Sequence, residues 1–245
     1  MLKSLASMYA LKSIALRWIC RHNVAMIGVV FPSHFEAAEF VVRLKNKAPA
    51  KLERHLPSWR GSIGGQEIAV GVIGMGPPHC VSRTEKFLDY YPVKTLYLAG
   101  FAGALDPALK RGEVIVNRGD GKIATANEVI ATAADKARLL AQTGAPLVDM
   151  ESAHVEAVAA KHQTPLVVVR AVSDLATEDV PVDILDRSYD QTQGVTTPVK
   201  LGLYLAWHWG DIGRLMRFLK PLSGVRRGLT SVLVAELAKQ APDES

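Results

Sequence analysis

Val24–Phe31 is a continuous apolar run closed by Pro32-Ser33, and beyond it Phe35, Ala38, Val41 and Val42 recur along one side of the stretch from His34 to Leu44. A short β-branched run bounded by turn residues predicts a buried strand, and the period that follows predicts a helix. The alternation then repeats. Glu67–Ile73 reads as a strand running into Gly74-Met75-Gly76-Pro77-Pro78, residues 80–91 as a helix, and Thr95–Ala99 as a strand running into a second glycine turn, Gly100-Phe101-Ala102-Gly103-Ala104. Gly112–Val116 is a further strand, set by the tight Lys110-Arg111-Gly112 turn.

From Val148 to Asp174 the pattern carries chemistry. Asp149-Met150-Glu151 precedes a helix with Val155, Val158 and Ala159 at helical spacing, and Pro165-Leu166-Val167-Val168-Val169 then leads to Ser173-Asp174. Glu151 opens a helix and Asp174 closes a strand. Ligands of open α/β sheets bind at the carboxyl ends of the strands, so both acids fall where a small polar substrate would lie. The alternative is that each merely caps the segment that follows it. Both glycine turns follow strands, where backbone can approach a ligand closely, which makes Gly74 and Met75 candidate ligand contacts.

Strands and helices alternate through about residue 180, which predicts an α/β three-layer sandwich with a central mixed, largely parallel sheet. Residues 180–199, rich in Asp, Thr, Gln and Pro, read as a loop, and residues 200–239 as a helical tail with Leu201, Leu205, Trp209, Ile212, Leu215, Met216 and Leu219 on one stripe. The expected organisation is a basic extension over 1–23, a catalytic domain over 24–199, and a helical extension over 200–245 that packs on the domain or on a membrane surface.

Composition narrows the options. The 245 residues carry a formal charge of +5, concentrated at the two ends, and no run reaches the length of a spanning helix. Cys20 and Cys80 lack CxxC spacing and histidine partners, so neither a disulfide framework nor a metal site is indicated, and a reducing cytoplasm is expected. The glycine spacing at 71–76 is wrong for a dinucleotide fingerprint, and no base-stacking platform indicates nucleic acid. Trp207 and Trp209 beside Arg214, Arg217 and Lys220 suggest peripheral contact with the inner face of a membrane.

Three segments in order, Ala99–Leu105 with Arg111-Gly112-Glu113-Val114, then Val148–Glu151, then Arg170–Asp174, resemble the purine nucleoside phosphorylase and methylthioadenosine/S-adenosylhomocysteine nucleosidase superfamily. The resemblance covers roughly Val24 to Asp179. Ala131–Leu139 running into Thr143-Gly144-Ala145 and the DMES motif is similar to the hopanoid-associated branch, which acts on adenosylhopane.

The resemblance implies the nucleoside phosphorylase fold and cleavage of an N-glycosidic bond with release of adenine. Asp174 matches the acid that protonates N7 of the purine, which requires a desolvated carboxyl. Glu151 matches the ligand of the ribose hydroxyls, and Met150 the residue packed on the sugar. Phe101, Ala102 and Gly103 match the loop along the purine, and Val129 stands near a position that often holds an aromatic ring. Ser173 accompanies Asp174. Glu36 falls on the position that activates water in nucleosidases.

The phosphate-binding arginines of phosphorylases have no counterpart at Phe31-Pro32-Ser33-His34 or Leu98-Ala99, so water is the expected nucleophile, although His34 and Arg83 leave a phosphate site open. No metal or organic cofactor is implied; inorganic phosphate would be the co-substrate of a phosphorylase. The resemblance also implies a homo-oligomer. The rival readings are phosphorolysis, a methylthioadenosine/S-adenosylhomocysteine nucleosidase, and a non-catalytic nucleoside-binding or membrane-associated protein.

Overall fold

All six residues of β1 (Met26–Phe31) are buried, and a strand buried on both faces belongs in the middle of a sheet. The computed structural model describes residues 26–53, 56–119, 121–185, 189–190, 195–196 and 208–239. β1 lies between β4 (Gln66–Val72) and β5 (Val93–Ala104), parallel to both, and β9 (Leu166–Asp174) runs parallel on the far side of β5. The periphery is antiparallel. β2 (Lys45–Glu53) and β3 (Leu56–Ile63) extend the sheet beyond β4, and β6 (Val114–Asn117) extends it beyond β9. β8 (Leu147–Asp149) pairs antiparallel with the end of β5 and carries β7 (Ile123–Thr125). A separate ladder joins β10 (Tyr189–Asp190) to β11 (Val195–Thr196).

Alternation along β1 divides the core in two. Ile27, Val29 and Phe31 pack with Ala37 and Phe40 of α1 (His34–Arg43) and with Leu222, Leu229 and Leu233 of α6 (Trp209–Ala238). Met26 and Val30 face Phe87 and Leu88 of α2 (His79–Tyr90) and Val155 and Val158 of α4 (Ser152–Lys161). A mixed sheet, parallel at its centre and covered by helices on both faces, is the three-layer sandwich that the sequence predicts. α3 (Ala133–Thr143) and the short α5 (Val182–Leu185) complete the described helices.

Three local expectations change. The run Gly100–Ala104 is not a turn but the end of β5, paired with β9 through Gly103 across a register shift after Ala102, and with β8 at Gly103 and Ala104. α1 buries Ala37, Phe40 and Val41 together with Glu36, whereas Phe35 and Val42 are 43% and 72% exposed. Phe40 is fully buried and lies one turn after Glu36, so the face that buries it also carries Glu36 inward. On α6, Leu215 is buried but Ile212 and Met216 are exposed. Residues 1–25 and 197–207, with Trp207, lie outside the described residues, as does the side chain of Trp209.

Candidate active site

The sheet parts at one place. β1 leaves β5 after the Val30–Leu98 pair, and β8 joins the same edge only at Gly103, so the stretch between lacks a strand partner there. A side chain takes the unpaired amide: Glu36 Oε1 accepts from Phe101 N at 2.7 Å. Ser33, the N-cap of α1, accepts from Glu36 N at 3.3 Å and donates its hydroxyl to Glu36 Oε2. The cap of the helix therefore also orients its acid.

Opposite Gly100 in the β9 ladder stands Arg170, fully buried. Its Nη2 donates to Asp149 Oδ2 and to Glu151 Oε2, the latter at 3.3 Å. Nη1 and Nε find no acceptor among the described residues. A Cβ at residue 100 would collide with Arg170 Nη1 and stand 2.9 Å from Glu36 Oε1, so glycine is what lets the guanidinium and the acid meet.

Glu151 holds the N-cap position of α4, but its side chain makes no capping bond. The first amide of α4 is met by Asp149, whose Oδ1 accepts from Ser152 N at 3.2 Å and from the Thr125 hydroxyl at 3.1 Å. Glu151 instead turns back to Gly76, whose N–H donates to its Oε1 at 3.0 Å. Burial pushes the Glu151 carboxyl up to about 7, with Asp149 and Glu36 adding to the rise and Arg170 and the Gly76 amide opposing it. Burial also raises Glu36, against the hydrogen bonds from Ser33 and Phe101 and the charge of Arg170.

Asp174, at the end of β9, is likewise free of capping duty. Its Oδ2 accepts from Lys136 Nζ at 2.5 Å and its Oδ1 from the Ser173 hydroxyl at 2.6 Å. The resemblance leads one to expect a desolvated carboxyl here; Asp174 is buried, and a buried lysine is set against it.

These groups border one cavity of about 250 Å³. Glu36, Glu151, Asp174, Met150, Phe101, Ala102, Gly103, Val129, Ser173 and Met75 all line it. Gly74 does not. Its missing side chain makes room for Arg83, since a Cβ there would be 2.7 Å from Arg83 Nη1. His34 and Arg83 do not line the cavity either; burial and then the Arg83 charge lower the His34 pKa, which leaves the imidazole neutral beside the Trp59 ring. Lys136, Arg170 and Asp149 are the members that sequence reasoning missed as site residues. Among the described residues no cluster of three His, Cys, Asp or Glu side chains is placed to hold a metal ion, and no helix is long and apolar enough to cross a membrane.

The pKa of Glu151 gives a stability prediction. The native carboxyl holds its proton from its ordinary 4.5 to about 7 while the unfolded chain has lost it, so this group makes stability fall as pH rises through that window. The contribution is on the order of 3 kcal/mol. Denaturation midpoints of Glu151→Gln are expected to decline less between those pH values than those of the parent; identical slopes would assign the effect to other groups.

A sequence profile of the Phosphorylase superfamily matches residues 26–119 and 116–201. No curated protein matches the chain significantly. Among solved structures, 5′-methylthioadenosine/S-adenosylhomocysteine nucleosidase of Helicobacter pylori, a mutant with 5′-methylthioadenosine in the active site, superposes with a TM-score of 0.64 at 16% identity, over 88% of this chain and 99% of that one. The same nucleosidase from Neisseria meningitidis gives 0.58 at 17% identity, over 63% and 88%. Futalosine hydrolase of Helicobacter pylori gives 0.55 at 20% identity, over 64% and 88%. At such identities the likeness speaks for the fold.

Proposed function

We propose that this chain, which belongs to the Phosphorylase superfamily, hydrolyses the N-glycosidic bond of an adenosine-like nucleoside and releases adenine. The observation that carries this reading is the convergence on one cavity of two buried acids beside a guanidinium, Glu36 and Glu151 with Arg170, and of a third acid, Asp174, paired with a lysine. The structural neighbours named above are nucleosidases and a nucleoside hydrolase, which supports the same reaction class.

In the proposed reaction a water sits between Glu36 and the uncommitted Nη1 of Arg170. Glu36 takes one of its protons, and the oxygen bonds to C1′ of the ribose. The electron pair of the C1′–N9 bond passes into the purine, whose N7 receives a proton from Asp174. Glu151, on the ribose hydroxyls, stabilises the positive charge that develops on the sugar, and Met150 packs against the ring. The products are adenine and the free sugar. The scheme needs no metal or organic cofactor.

Phosphate fits this site poorly. Glu36, Asp149 and Glu151 surround the single guanidinium of Arg170, so a phosphate dianion would face more negative than positive charge.

The substrate we favour carries a large apolar 5′ group, with adenosylhopane as the candidate and hopanoid side-chain synthesis as its context. Phe35, Val129, Ile130, Leu185, Phe218 and Leu222 give the cavity an apolar wall, and Phe35 and Val129 reach the surface, 43% and 44% exposed. A bulky group could leave the cavity past them. Exposed Ile212 and Met216 on α6, near Arg217 and Lys220, suit contact with the inner face of a membrane at which such a substrate would reside. We place a homo-oligomer in the same proposal.

The test is release of free adenine from adenosylhopane, 5′-methylthioadenosine and adenosine, each with and without phosphate. Release independent of phosphate and fastest for adenosylhopane is expected. Release that requires phosphate would replace hydrolysis by phosphorolysis, and release only from 5′-methylthioadenosine would remove the lipid-linked substrate.

A further inference from the structure

Lys136 is fully buried, although it sits on a helix whose neighbouring charges, Asp135 and Arg138, are accessible to solvent. All three protons of its ammonium are committed. Nζ donates to Asp174 Oδ2 at 2.5 Å and to the carbonyls of Leu175 and Glu178, both at 2.8 Å. Taking an ammonium out of water costs several kcal/mol unless partners offset it, and here two of the three are backbone carbonyls of the segment just after β9.

That segment is folded to present them. The Glu178 carboxylate accepts from Leu175 N at 3.0 Å and pairs with Arg111, and Asp179 accepts from Ala133 N at 2.9 Å at the start of α3. The tie between α3 and the end of β9 thus delivers one buried positive charge to the acid of the site. Lys136 does not line the cavity; Asp174 does.

We propose that Lys136 is a positioning residue that holds one oxygen of Asp174 and stabilises the carboxylate formed when its proton leaves, so that the proton donor is the Asp174–Lys136 pair rather than a lone carboxyl. The inference rests on the reading that Asp174 protonates the purine. Lys136 occupies Oδ2, which leaves Oδ1 to carry the proton. The Ser173 hydroxyl on Oδ1 also lies 3.2 Å from Ala102 O, to which it can donate while Oδ1 is protonated.

When that proton moves to N7, a carboxylate forms beside an ammonium already in place, and its charge is stabilised without reorganisation. Afterwards the Ser173 hydroxyl returns to Oδ1. The other charged groups that line the same cavity are Glu36, Glu128, Asp149 and Glu151, and the following loop carries the Glu178–Arg111 pair; Gly103 of β5 brings none.

The test compares pH–rate profiles for adenine release by the full-length parent, Lys136→Arg and Lys136→Met. Removing the charge is expected to move the basic limb of the profile, which the Asp174–Lys136 pair sets, to higher pH. At the pH optimum kcat is expected to fall about tenfold or more, because no ammonium then stabilises the carboxylate that the departing proton leaves behind. The limb set by Glu36 stays in place, and Lys136→Arg keeps the parental limbs. If Lys136→Met melts below the assay temperature, Lys136→Gln carries the same comparison.

A lysine with a purely structural role would scale the rate by one factor at every pH, and that result overturns the proposal while the hydrolase reading stands. A parent that releases no adenine from any of the three nucleosides overturns that reading and the proposal with it.

Discussion

Asp174→Asn is expected to lower kcat for adenine release by about 100- to 10,000-fold, the range in which loss of a general acid falls. Asparagine has nearly the same shape, so it still fills the site bordered by Gly103 and Ser173, but it has no proton to give to N7. The substitution also reaches the fold. Lys136 would remain buried with two carbonyls and no counter-ion, and breaking a buried ion pair from one side costs about 3 to 5 kcal/mol. A drop in melting temperature should accompany the loss of rate.

The two effects can be separated. Asp174→Asn combined with Lys136→Met removes both charges, and it is expected to recover most of the lost stability while recovering none of the activity. Thermal melts and initial rates on the four proteins of that cycle measure both. Activity within tenfold of the parent in Asp174→Asn would remove Asp174 from the chemistry, whatever the melts show.

The parallel centre of the sheet is legible because β1 and β9 are continuous β-branched runs buried on both faces. β2 is not, since its sequence, with Lys45, Lys47, Lys51 and Pro49, has the polar character of an edge strand and no apolar period. The glycine pattern at Gly100 and Gly103 correctly marks close approach, but what approaches is side chains of β9, which is why the chain stays extended there instead of turning.

Glu151 and Asp174 stand out as candidates because each sits beside a strand end, whereas Glu36 stands out only through the resemblance. Their partners were harder to see. Arg170 had a signal, a charge inside the otherwise apolar run from Leu166 to Val172, and a buried arginine implies buried carboxylates. Asp149 stands two residues before Glu151, and nothing in the sequence says which side chain meets the first amide of α4. Lys136 had no signal, since a lysine between Asp135 and Arg138 reads as part of a solvated helix face until the loop after β9 is placed around it.

Glu36→Gln decides the nucleophile. Glutamine can still accept from Phe101 N, so the unpaired amide of β5 stays satisfied and the fold is expected to be kept. What is lost is the group that takes the proton from water, and hydrolysis is expected to fall by about 100- to 10,000-fold. In the parent, burial raises the Glu36 carboxyl, so the rate should drop on the acidic side as this base becomes protonated; in the variant that limb should vanish from the residual activity. Phosphate gives the contrary outcome a distinct signature. A dianion beside Arg170 would be repelled by Glu36, and neutralising residue 36 would then raise phosphate-dependent release rather than abolish release. A variant faster than the parent in phosphate would therefore make Glu36 an obstacle to the nucleophile instead of its base, whereas loss of rate with and without phosphate assigns the attacking oxygen to water.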